Sequence, residues 1–348
     1  MNMAEPAQFV AQGLRGTLHH DVDMRRHTSW RAGGRVERMY QPADLDDLTM
    51  FLRALPADEP LLAVGLGSNL LVRDGGLRGT VLLLHGALGE LRMEPDGMIS
   101  PQGGGRGCKA TEVAITTLYA QAGVPGAKLA RFAALHNLGG AEFFAGIPGT
   151  VGGMLAMNAG CYGSEIWDVV ARVQVLSRTG ELCERTAADY EIAYRHVALK
   201  EKGEGEREKG NTEPKVLPLP PSLFPLTQEF FVSAWFKFSA GDGEIAREEI
   251  KALLAKRIAS QPLNLPNAGS VFRNPPGDYA ARLIESCGLK GRQVGGAQVS
   301  EKHANFIVNM GGATATDIEN LINEVQAKVE RQTGVRLQCE VRIIGDAA

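Results

Sequence analysis

Hydrophobic and polar positions in the first 86 residues alternate between strand-like and helix-like periods. Residues 31–40 (RAGGRVERMY) predict a glycine turn and then a short strand, and residues 42–55 place apolar side chains at helical spacing behind acidic ones. Apolar runs at 60–64 and 80–84 predict two further strands, and a glycine loop follows the first of them. The order strand–helix–strand–loop–strand indicates a small α/β domain over residues 20–86.

Residues 87–240 have a different pattern, in which strand-like runs alternate with glycine turns, and we assign them to a second domain. A helix is predicted near residues 111–122, and the apolar run at 230–238 (FFVSAWFKF) predicts a strand. Within this domain, residues 200–228 are first rich in charge and glycine and then rich in proline. Because such a composition buries little apolar surface, we interpret this segment as an exposed insertion.

Two helices are predicted in residues 241–336, which we assign to a third domain. Residues 244–260 predict a helix whose apolar stripe is formed by Ile250, Leu253, Leu254 and Ile258. In a second helix, within residues 313–334, Thr316 and Glu319 would form a capping box and Gly334 would stop the helix. Its stripe would consist of Ile318, Leu321, Ile322, Val325 and Val329. Residues 335–345 predict a strand, and we expect residues 337–348 to return to the first domain.

Charge and composition argue against several classes of protein. The formal net charge of −3 is not that of a typical nucleic-acid-binding protein, and no apolar run approaches the ~20 residues that span a bilayer. The N-terminal residues lack the basic and apolar regions of a signal peptide, so we expect a cytoplasmic protein. Five cysteines without a C-x-x-C pair fit reduced thiols, and the spacing of the seven histidines predicts no metal site.

Glycine is the one departure from ordinary composition, at 42 of 348 residues, and it is clustered. The cluster at 64–69 (VGLGSN) is not a dinucleotide fingerprint, because Leu70 replaces the third glycine and a strand follows instead of a helix. Its bare N–H groups would still suit an anion such as a diphosphate. Residues 143–163 hold six glycines and no ionic side chain, which suits close approach to a flat or phosphate-bearing ligand. A third cluster, GGGR, lies at 103–106.

Six segments in order then resemble the signatures of the UDP-N-acetylenolpyruvoylglucosamine reductase (MurB) family. They are GLGSNLLV, FFAGIPGTVGGMLAMNAGCYGSE, YEIAYR, AGSVFRNP, GLKGRQVGGAQVSEKHANFIVN and LQCEVRIIG, which cover the chain from about residue 28 to residue 345. The pattern is similar to the form of the family that lacks an extra tyrosine-bearing loop over the substrate. Val197 departs from the serine that the family often has two residues after its active-site arginine.

The resemblance implies an α+β fold, with two FAD-binding subdomains of the vanillyl-alcohol-oxidase type and a separate α/β substrate-binding domain. It also implies non-covalent FAD, held by two glycine-rich loops with residues 31–34 and 103–106 nearby. The implied cofactor-binding residues are Gly65, Gly67, Ser68, Asn69, Leu70, Gly146, Ile147, Pro148, Gly149, Thr150, Gly152, Gly153, Asn158, Ala159 and Gly160.

The reaction that the resemblance implies has two stages. NADPH reduces FAD, and the reduced cofactor then reduces the enolpyruvyl group of UDP-N-acetylglucosamine enolpyruvate to give UDP-N-acetylmuramate. The product enters peptidoglycan synthesis, which connects the enzyme with cell-wall biogenesis, cell shape and cell division. No nucleic-acid partner and no membrane insertion are expected.

Hydride addition to the outer carbon of the enol ether leaves enolate-like charge on the inner carbon and the carboxylate. Such a site needs cations or strong donors near the carboxylate and a proton donor over the inner carbon. By resemblance, Arg195 and Glu340 flank the carboxylate, where Glu340 would help only if protonated, and Ser270 gives the proton. Further substrate-binding candidates are Tyr194, Asn274, Arg273, Lys302 and His303.

Two other functions stay open at this point. The chain could be another FAD-dependent oxidoreductase of the vanillyl-alcohol-oxidase fold, which often tethers its flavin covalently through histidine or cysteine. It could also be a flavin- or nucleotide-binding protein without catalysis. The second alternative has no use for Arg195, Ser270 and Glu340 together.

Overall fold

The computed structural model describes residues 13–94, 115–200 and 229–348. The glycine cluster predicted at 103–106 lies outside these ranges. The same holds for residues 201–228 of the predicted insertion and for the first four residues of the helix predicted at 111–122.

Within the described ranges the chain forms six α-helices, nineteen strands and four short 3-10 helices. The α-helices are α1 (Leu45–Ala54), α2 (Gly126–Leu135), α3 (Val151–Ala156), α4 (Gly243–Ser260), α5 (Ala280–Ser286) and α6 (Ala315–Thr333). The 3-10 helices are Met24–Arg26, Glu142–Gly146, Ile166–Asp168 and Ala187–Asp189. The strands are β1 (Thr17–Asp23), β2 (Arg35–Gln41), β3 (Leu61–Val64), β4 (Leu70–Val72), β5 (Leu77–Leu83), β6 (Leu91–Met93), β7 (Ile115–Gln121), β8 (Leu138–Gly139), β9 (Gly160–Cys161), β10 (Ser164–Glu165), β11 (Val170–Ser177), β12 (Leu182–Arg185), β13 (Tyr190–Ala193), β14 (His196–Leu199), β15 (Glu229–Ala240), β16 (Gln293–Val294), β17 (Ala297–Val299), β18 (Ile307–Asn309) and β19 (Arg342–Ile344).

The N-terminal sheet has the strand order β1-β2-β5-β3, in which β2, β5 and β3 run parallel. Helix α1 covers this sheet with Leu48, Phe51 and Leu52, all buried, as the 3.6-residue period of its apolar positions predicts. Asp44 caps the helix by accepting a hydrogen bond from the Asp47 N–H at 2.9 Å. The strand–helix–strand order predicted for this region is confirmed.

A second sheet has the order β12-β11-β15-β7-β6, with the long strand β15 at its centre. The helix predicted at 111–122 is wrong over its described part, because Ile115–Gln121 form strand β7 against β15. Two adjacent threonines and Tyr119 favour extended backbone here, and pairing with β15 reinforces that preference. The helix of this region is α2, which sequence analysis missed. It buries mainly small side chains, with Leu129 the largest.

The predicted helix at 244–260 is confirmed as α4, but its apolar stripe is wrong in part. Ala246 and Ile250 are buried in the core that α4 shares with α2, whereas Ile258 is 61% exposed. Helix α6 is confirmed together with its whole predicted stripe and with the stop at Gly334, whose φ is +73°.

The capping box of α6 lies two residues earlier than predicted. Thr314 Oγ1 accepts from the Asp317 N–H at 3.0 Å, and Asp317 Oδ2 accepts from the Thr314 N–H at 3.0 Å. Glu319, the predicted partner, instead accepts two hydrogen bonds from the Arg73 guanidinium at 2.8 and 2.7 Å. Two sites matched the capping pattern, and the contact with Arg73 in the N-terminal region explains why Glu319 does not cap.

Three contacts fix the C-terminal region against the N-terminal one. Trp30 is fully buried in the C-terminal core, and its indole N–H donates to Ile307 O at 2.8 Å. Asp74 accepts from the first N–H groups of α6. Strand β19 pairs in parallel with β4, although only Arg342–Ile344 of the strand predicted at 335–345 are extended in the sheet. This pairing carries the residues just before β19 to the loop that precedes β4.

The mixed content of helices and strands fits the predicted α+β class. The limits given for the three domains remain predictions. In the parts of the chain that the structure describes, no helix is both long and apolar enough to cross a membrane.

Candidate active site

A cavity of about 340 Å³ lies where three segments meet. These are the loop between β3 and β4, the loop from the 3-10 helix Glu142–Gly146 into α3, and the turn that contains Ser270. Most of the predicted cofactor residues line it, as do all three predicted catalytic residues: Gly65, Gly67, Ser68, Asn69, Leu70, Gly146, Ile147, Pro148, Gly149, Thr150, Gly153, Ala159, Gly160, Arg195, Ser270 and Glu340.

The loop between β3 and β4 presents bare backbone to the cavity. A Cβ on Gly65 would overlap Thr150 Oγ1, and a Cβ on Gly67, whose φ is +61°, would overlap the His27 carbonyl. Glycine is therefore required at both positions by close packing. Among the described residues, no protein acceptor receives a hydrogen bond from the N–H groups of residues 65–69. Consecutive unpaired N–H groups of this kind suit a phosphate or diphosphate.

The second glycine loop contributes through α3. A Cβ on Gly153 would meet only Thr150 Oγ1, at 3.8 Å, on the side of the helix that lines the cavity. A Cβ on Gly152 would instead lie 2.9 Å from the Ala122 Cβ in the protein interior. Gly152, a predicted cofactor residue, therefore packs against the sheet, while Gly153 leaves room in the cavity. Two loops of bare backbone fit a large, flat, phosphate-bearing cofactor such as FAD.

Arg195 sits at the tip of the hairpin formed by β13 and β14, in the two-residue turn Tyr194–Arg195. Its Nε donates to Glu340 Oε1 at 2.8 Å, and its two terminal nitrogens donate to the carbonyls of Asn158 and Gly160 at 3.1 and 3.2 Å. The side chains of this ion pair are only 17% and 12% exposed. The guanidinium is thus held in a single orientation at the cavity wall.

The Ser270 turn is joined to the Glu340 segment by main-chain hydrogen bonds. Glu340 N donates to Val271 O at 2.7 Å, and Arg273 N donates to Gln338 O at 2.9 Å. Asn305, which is buried, holds the same turn from its other side, since its side chain donates to Phe272 O and accepts from Phe272 N. The Ser270 hydroxyl has no protein hydrogen-bond partner among the described residues, so it is free to meet a ligand.

The buried side chain of Asn158, a predicted cofactor residue, does not line the cavity. Its Nδ2 donates to Glu165 Oε2 at 2.6 Å and to Ala193 O at 3.2 Å, which ties α3 to the Arg195 hairpin. Its Oδ1 has no donor in the described parts of the chain. Tyr194, 46% exposed, has its ring 5.0 Å from the guanidinium carbon of Arg195.

None of the five predicted substrate residues, Tyr194 included, lines the cavity. Asn274 Oδ1 accepts from the Ala280 N–H at 3.1 Å and so caps α5, and Lys302 Nζ donates to Ile258 O at 2.6 Å, at the end of α4. His303 packs against the Phe306 ring, and burial lowers the pKa of this histidine. Arg273 donates to the Arg195 carbonyl at 3.2 Å. Their roles toward a substrate remain predictions.

Two residues of the cavity wall were not predicted, namely Arg257 in the last turn of α4 and Gln261, which directly follows that helix. Arg257 Nε donates to Gln261 Oε1 at 2.8 Å, and loss of hydration lowers the pKa of Arg257, which stays charged at neutral pH. The spacing of four residues puts both side chains on one face of a helix, which is a signal the sequence does contain. Among the described residues no carboxylate pairs with Arg257.

Arg342 is a third missed residue of the cavity wall, two positions after Glu340. Alternate residues of an extended segment point to one side, so this spacing also gave a signal. Among the described residues that line the cavity, Arg195, Arg257 and Arg342 carry positive charge and Glu340 alone carries negative charge. The cavity is therefore electropositive and suits an anionic ligand. Burial raises the pKa of the nearby Cys161 thiol, which keeps it neutral.

Comparisons with known proteins agree with this geometry. The family model described as an FAD binding domain matches residues 36–185, and the model of the UDP-N-acetylenolpyruvoylglucosamine reductase C-terminal domain matches residues 261–344. UDP-N-acetylenolpyruvoylglucosamine reductase of Thiobacillus denitrificans is 54% identical to this chain, with 99% of the chain and 98% of the relative covered. The enzyme of Nitrosospira multiformis is 56% identical, with 97% and 91% covered.

A solved structure of the same type is also similar. The crystal structure of UDP-N-acetylenolpyruvylglucosamine reductase (MurB) from Thermus caldophilus superposes with a TM-score of 0.69 at 25% identity, over 95% of this chain and 99% of that one. The predicted FAD-binding fold with a separate C-terminal domain is confirmed by this similarity and by the two family models. The chain belongs to the UDP-N-acetylenolpyruvoylglucosamine reductase family.

Proposed function

We propose that this enzyme uses NADPH and FAD to reduce the enolpyruvyl group of UDP-N-acetylglucosamine enolpyruvate to UDP-N-acetylmuramate, for peptidoglycan synthesis. The observation that carries the proposal is the meeting of Arg195, Ser270 and Glu340 on one cavity with both glycine loops. Relatives that are 54% and 56% identical over nearly the whole chain bear the corresponding name.

The residues around the cavity fit FAD. The unpaired N–H groups of residues 65–69 would hold the diphosphate, and the bare backbone near Gly149 and Gly153 would lie against the ring system. When bound, FAD supplies the hydride chemistry, and the protein supplies binding, orientation and electrostatics. We propose that the cofactor is held without a covalent bond, because the raised pKa of Cys161 leaves little thiolate for attachment.

Arg195 would bind the substrate carboxylate and stabilise the charge that develops there. Its guanidinium already has three fixed acceptors, so little reorientation accompanies reaction. Glu340, paired with it, would face the same carboxylate. Because two carboxylates repel each other, Glu340 would assist only as a hydrogen-bond donor.

Ser270 would give the proton to the inner carbon of the substrate. Its hydroxyl has no competing protein partner in the described parts of the chain, and Asn305 fixes the backbone beside it. A serine hydroxyl is a weak acid, so its function depends on this placement and on the three surrounding arginines. Arg257 is a stronger candidate than Lys302 for binding the substrate diphosphate, because Arg257 lines the cavity and Lys302 does not.

Ser270→Ala tests the proposal in two half-reactions. We expect NADPH to reduce the bound flavin at nearly the wild-type rate, while substrate oxidises the reduced flavin about 10²–10⁴-fold more slowly, the usual contribution of a general acid. Stopped-flow absorbance at the flavin band measures both rates. Ser286→Ala, on α5 away from the cavity, is the matched control. Equal losses in the two half-reactions would show that Ser270 does not act as the proton donor.

A second measurement separates this function from another FAD-dependent oxidoreductase with a tethered flavin. We expect denaturation and precipitation of the holoenzyme to release all of its FAD into the supernatant. Flavin that remains with the precipitated chain would favour the alternative. We also propose a cytoplasmic location, since the nucleotide-sugar substrate and NADPH are both cytoplasmic metabolites, and immunolocalisation would test it.

A further inference from the structure

The turn that carries Arg195 is held in an unfavourable backbone conformation. Arg195 has a φ of +55°, in the left-handed region that favours glycine and that costs other residues free energy. Ala193 pairs with His196 on either side of the turn, so the hairpin has no slack in which to relax. A residue persists in such a conformation only where neighbouring contacts hold it.

The contacts of the Arg195 side chain do not by themselves fix the backbone of Arg195. The bonds from Arg195 to Glu340, Asn158 and Gly160 all start at the guanidinium, which is separated from the main chain by a flexible stem. One contact acts on the main chain itself, since the Arg195 carbonyl accepts a hydrogen bond from a terminal nitrogen of Arg273 at 3.2 Å. This bond is charge-assisted and therefore stronger than one between neutral groups.

Arg273 is well anchored for that task. Its own backbone N–H donates to Gln338 O at 2.9 Å, in the ladder that also joins Val271 to Glu340. Its Nε is buried and has no acceptor among the described residues, and its side chain does not line the cavity. Within the described ranges the side chain of Arg273 makes one hydrogen bond, and this bond connects the segment that carries Ser270 and Glu340 with the turn that carries Arg195.

We propose that Arg273 is a positioning residue that acts through Arg195, by holding the strained Tyr194–Arg195 turn in register with Ser270 and Glu340. The proposal rests on the reductase function proposed above. It differs from the substrate contact that the sequence predicted for Arg273, because a positioning residue loses its effect once Arg195 is removed.

A double-mutant cycle distinguishes the two roles. We expect Arg273→Met to slow the oxidation of reduced flavin by substrate 10–100-fold, mainly in the limiting rate at saturating substrate, and Arg273→Lys to recover part of the loss. In an Arg195→Met background, Arg273→Met should slow the reaction less than twofold further. If the rate losses of the two single variants multiplied in the double variant, Arg273 would act on the substrate directly. A wild-type rate of flavin oxidation in Arg273→Met would also refute the proposal.

Hydrogen exchange of the backbone gives a readout that does not depend on activity. Peptides that cover residues 190–199 should exchange faster in Arg273→Met than in the wild type, with unchanged FAD content. Arg178→Met is the matched control, because Arg178 also donates to backbone carbonyls, those of Ala57 and Pro56 at 2.8 and 3.1 Å. Unchanged exchange at 190–199 would overturn the proposal.

Failure of the reductase function would be seen separately. If the wild-type enzyme did not reduce the enolpyruvyl UDP-sugar, the proposed function would fall, while hydrogen exchange would still test the contact between Arg273 and Arg195. Should Arg273→Met fail to fold, Arg273→Lys carries the same cycle and the same exchange measurement.

Discussion

Gly152 and Gly153 are neighbours in α3 that face opposite surroundings, and one added methyl group should therefore have opposite effects at the two positions. A Cβ on Gly153 would point into the cavity, with Thr150 Oγ1 3.8 Å away, and a Cβ on Gly152 would lie 2.9 Å from that of Ala122. The pair of alanine substitutions separates cofactor binding from folding, because the two sites share one helix and one backbone conformation.

The magnitudes follow from these distances. Alanine in place of a helical glycine stabilises a helix by at most about 1 kcal/mol, so Gly153→Ala should raise the free energy of unfolding of the FAD-free protein by up to that amount. Gly152→Ala gains the same term, but overpacking against Ala122 costs about 1–3 kcal/mol. Its net effect should be a loss of about 0–3 kcal/mol, taking the difference of the two ranges.

The effects on FAD affinity should be the reverse of those on stability, with the larger loss in Gly153→Ala. The Gly153 methyl would occupy space where FAD is proposed to lie, and we expect FAD to bind at least about tenfold more weakly, or about 1.4 kcal/mol. Gly152→Ala should bind FAD with an affinity within about twofold of wild type, a difference of less than about 0.5 kcal/mol, because its methyl group points away from the cavity.

Titration of FAD-free protein with FAD, followed by flavin fluorescence, measures affinity, and urea unfolding without FAD measures stability. Wild-type affinity in Gly153→Ala would refute the placement of the cofactor against α3. Weakened FAD binding in both variants would show that distortion of the helix, and not occupation of the cavity, is responsible.

Three further predictions concern contacts that support the site. Asn305→Ala leaves the buried N–H and C=O of Phe272 without partners and should lower the free energy of unfolding by about 2–4 kcal/mol in urea; a loss below about 1 kcal/mol would contradict this. A double-mutant cycle on Arg73 and Glu319, whose side chains are 18% and 23% exposed, should give a coupling of about 1 kcal/mol, whereas additive losses would mean that the pair contributes nothing. Burial lowers the pKa of His303 in the folded protein. As the pH falls below the ordinary value of about 6.5, the unfolded chain binds a proton before the folded protein does, so stability is lost. His303→Gln should therefore flatten the fall of the urea midpoint between pH 7 and pH 5, and parallel profiles of the two proteins would disprove this.

Helices α4 and α6 could be predicted from the sequence, whereas strand β7 and helix α2 could not. Helix α6 has a full stripe and a glycine stop, and both are confirmed. The stretch at 115–121 has no clear period, and its pairing with β15, more than 100 residues away in sequence, makes it a strand. Helix α2 buries mainly alanines and follows Pro125, which makes no side-chain capping bond, so no capping residue marks its start in the sequence.

The residues predicted for the candidate site also fall into two groups, those that line the cavity and those that do not. Arg195, Ser270 and Glu340 were found through motifs, and all three line the cavity. Asn274 and Lys302 stand in equally clear motifs, yet their side chains bond to α5 and to the end of α4. A motif marks a segment that comes near the site, but the direction of each side chain depends on contacts with elements that are distant in sequence.

The pairing of β19 with β4 also has a consequence for the time at which the protein acquires its cofactor. Leu70 lies beside Arg342, so the β3–β4 loop gains its neighbouring strand only when residues 342–344 have emerged from the ribosome, long after the loop itself. The backbone that follows this loop has no other strand partner in the described structure. We therefore expect flavin to be incorporated only after residue 344 has emerged, and a nascent chain stalled before residue 342 to be a flavin-free intermediate.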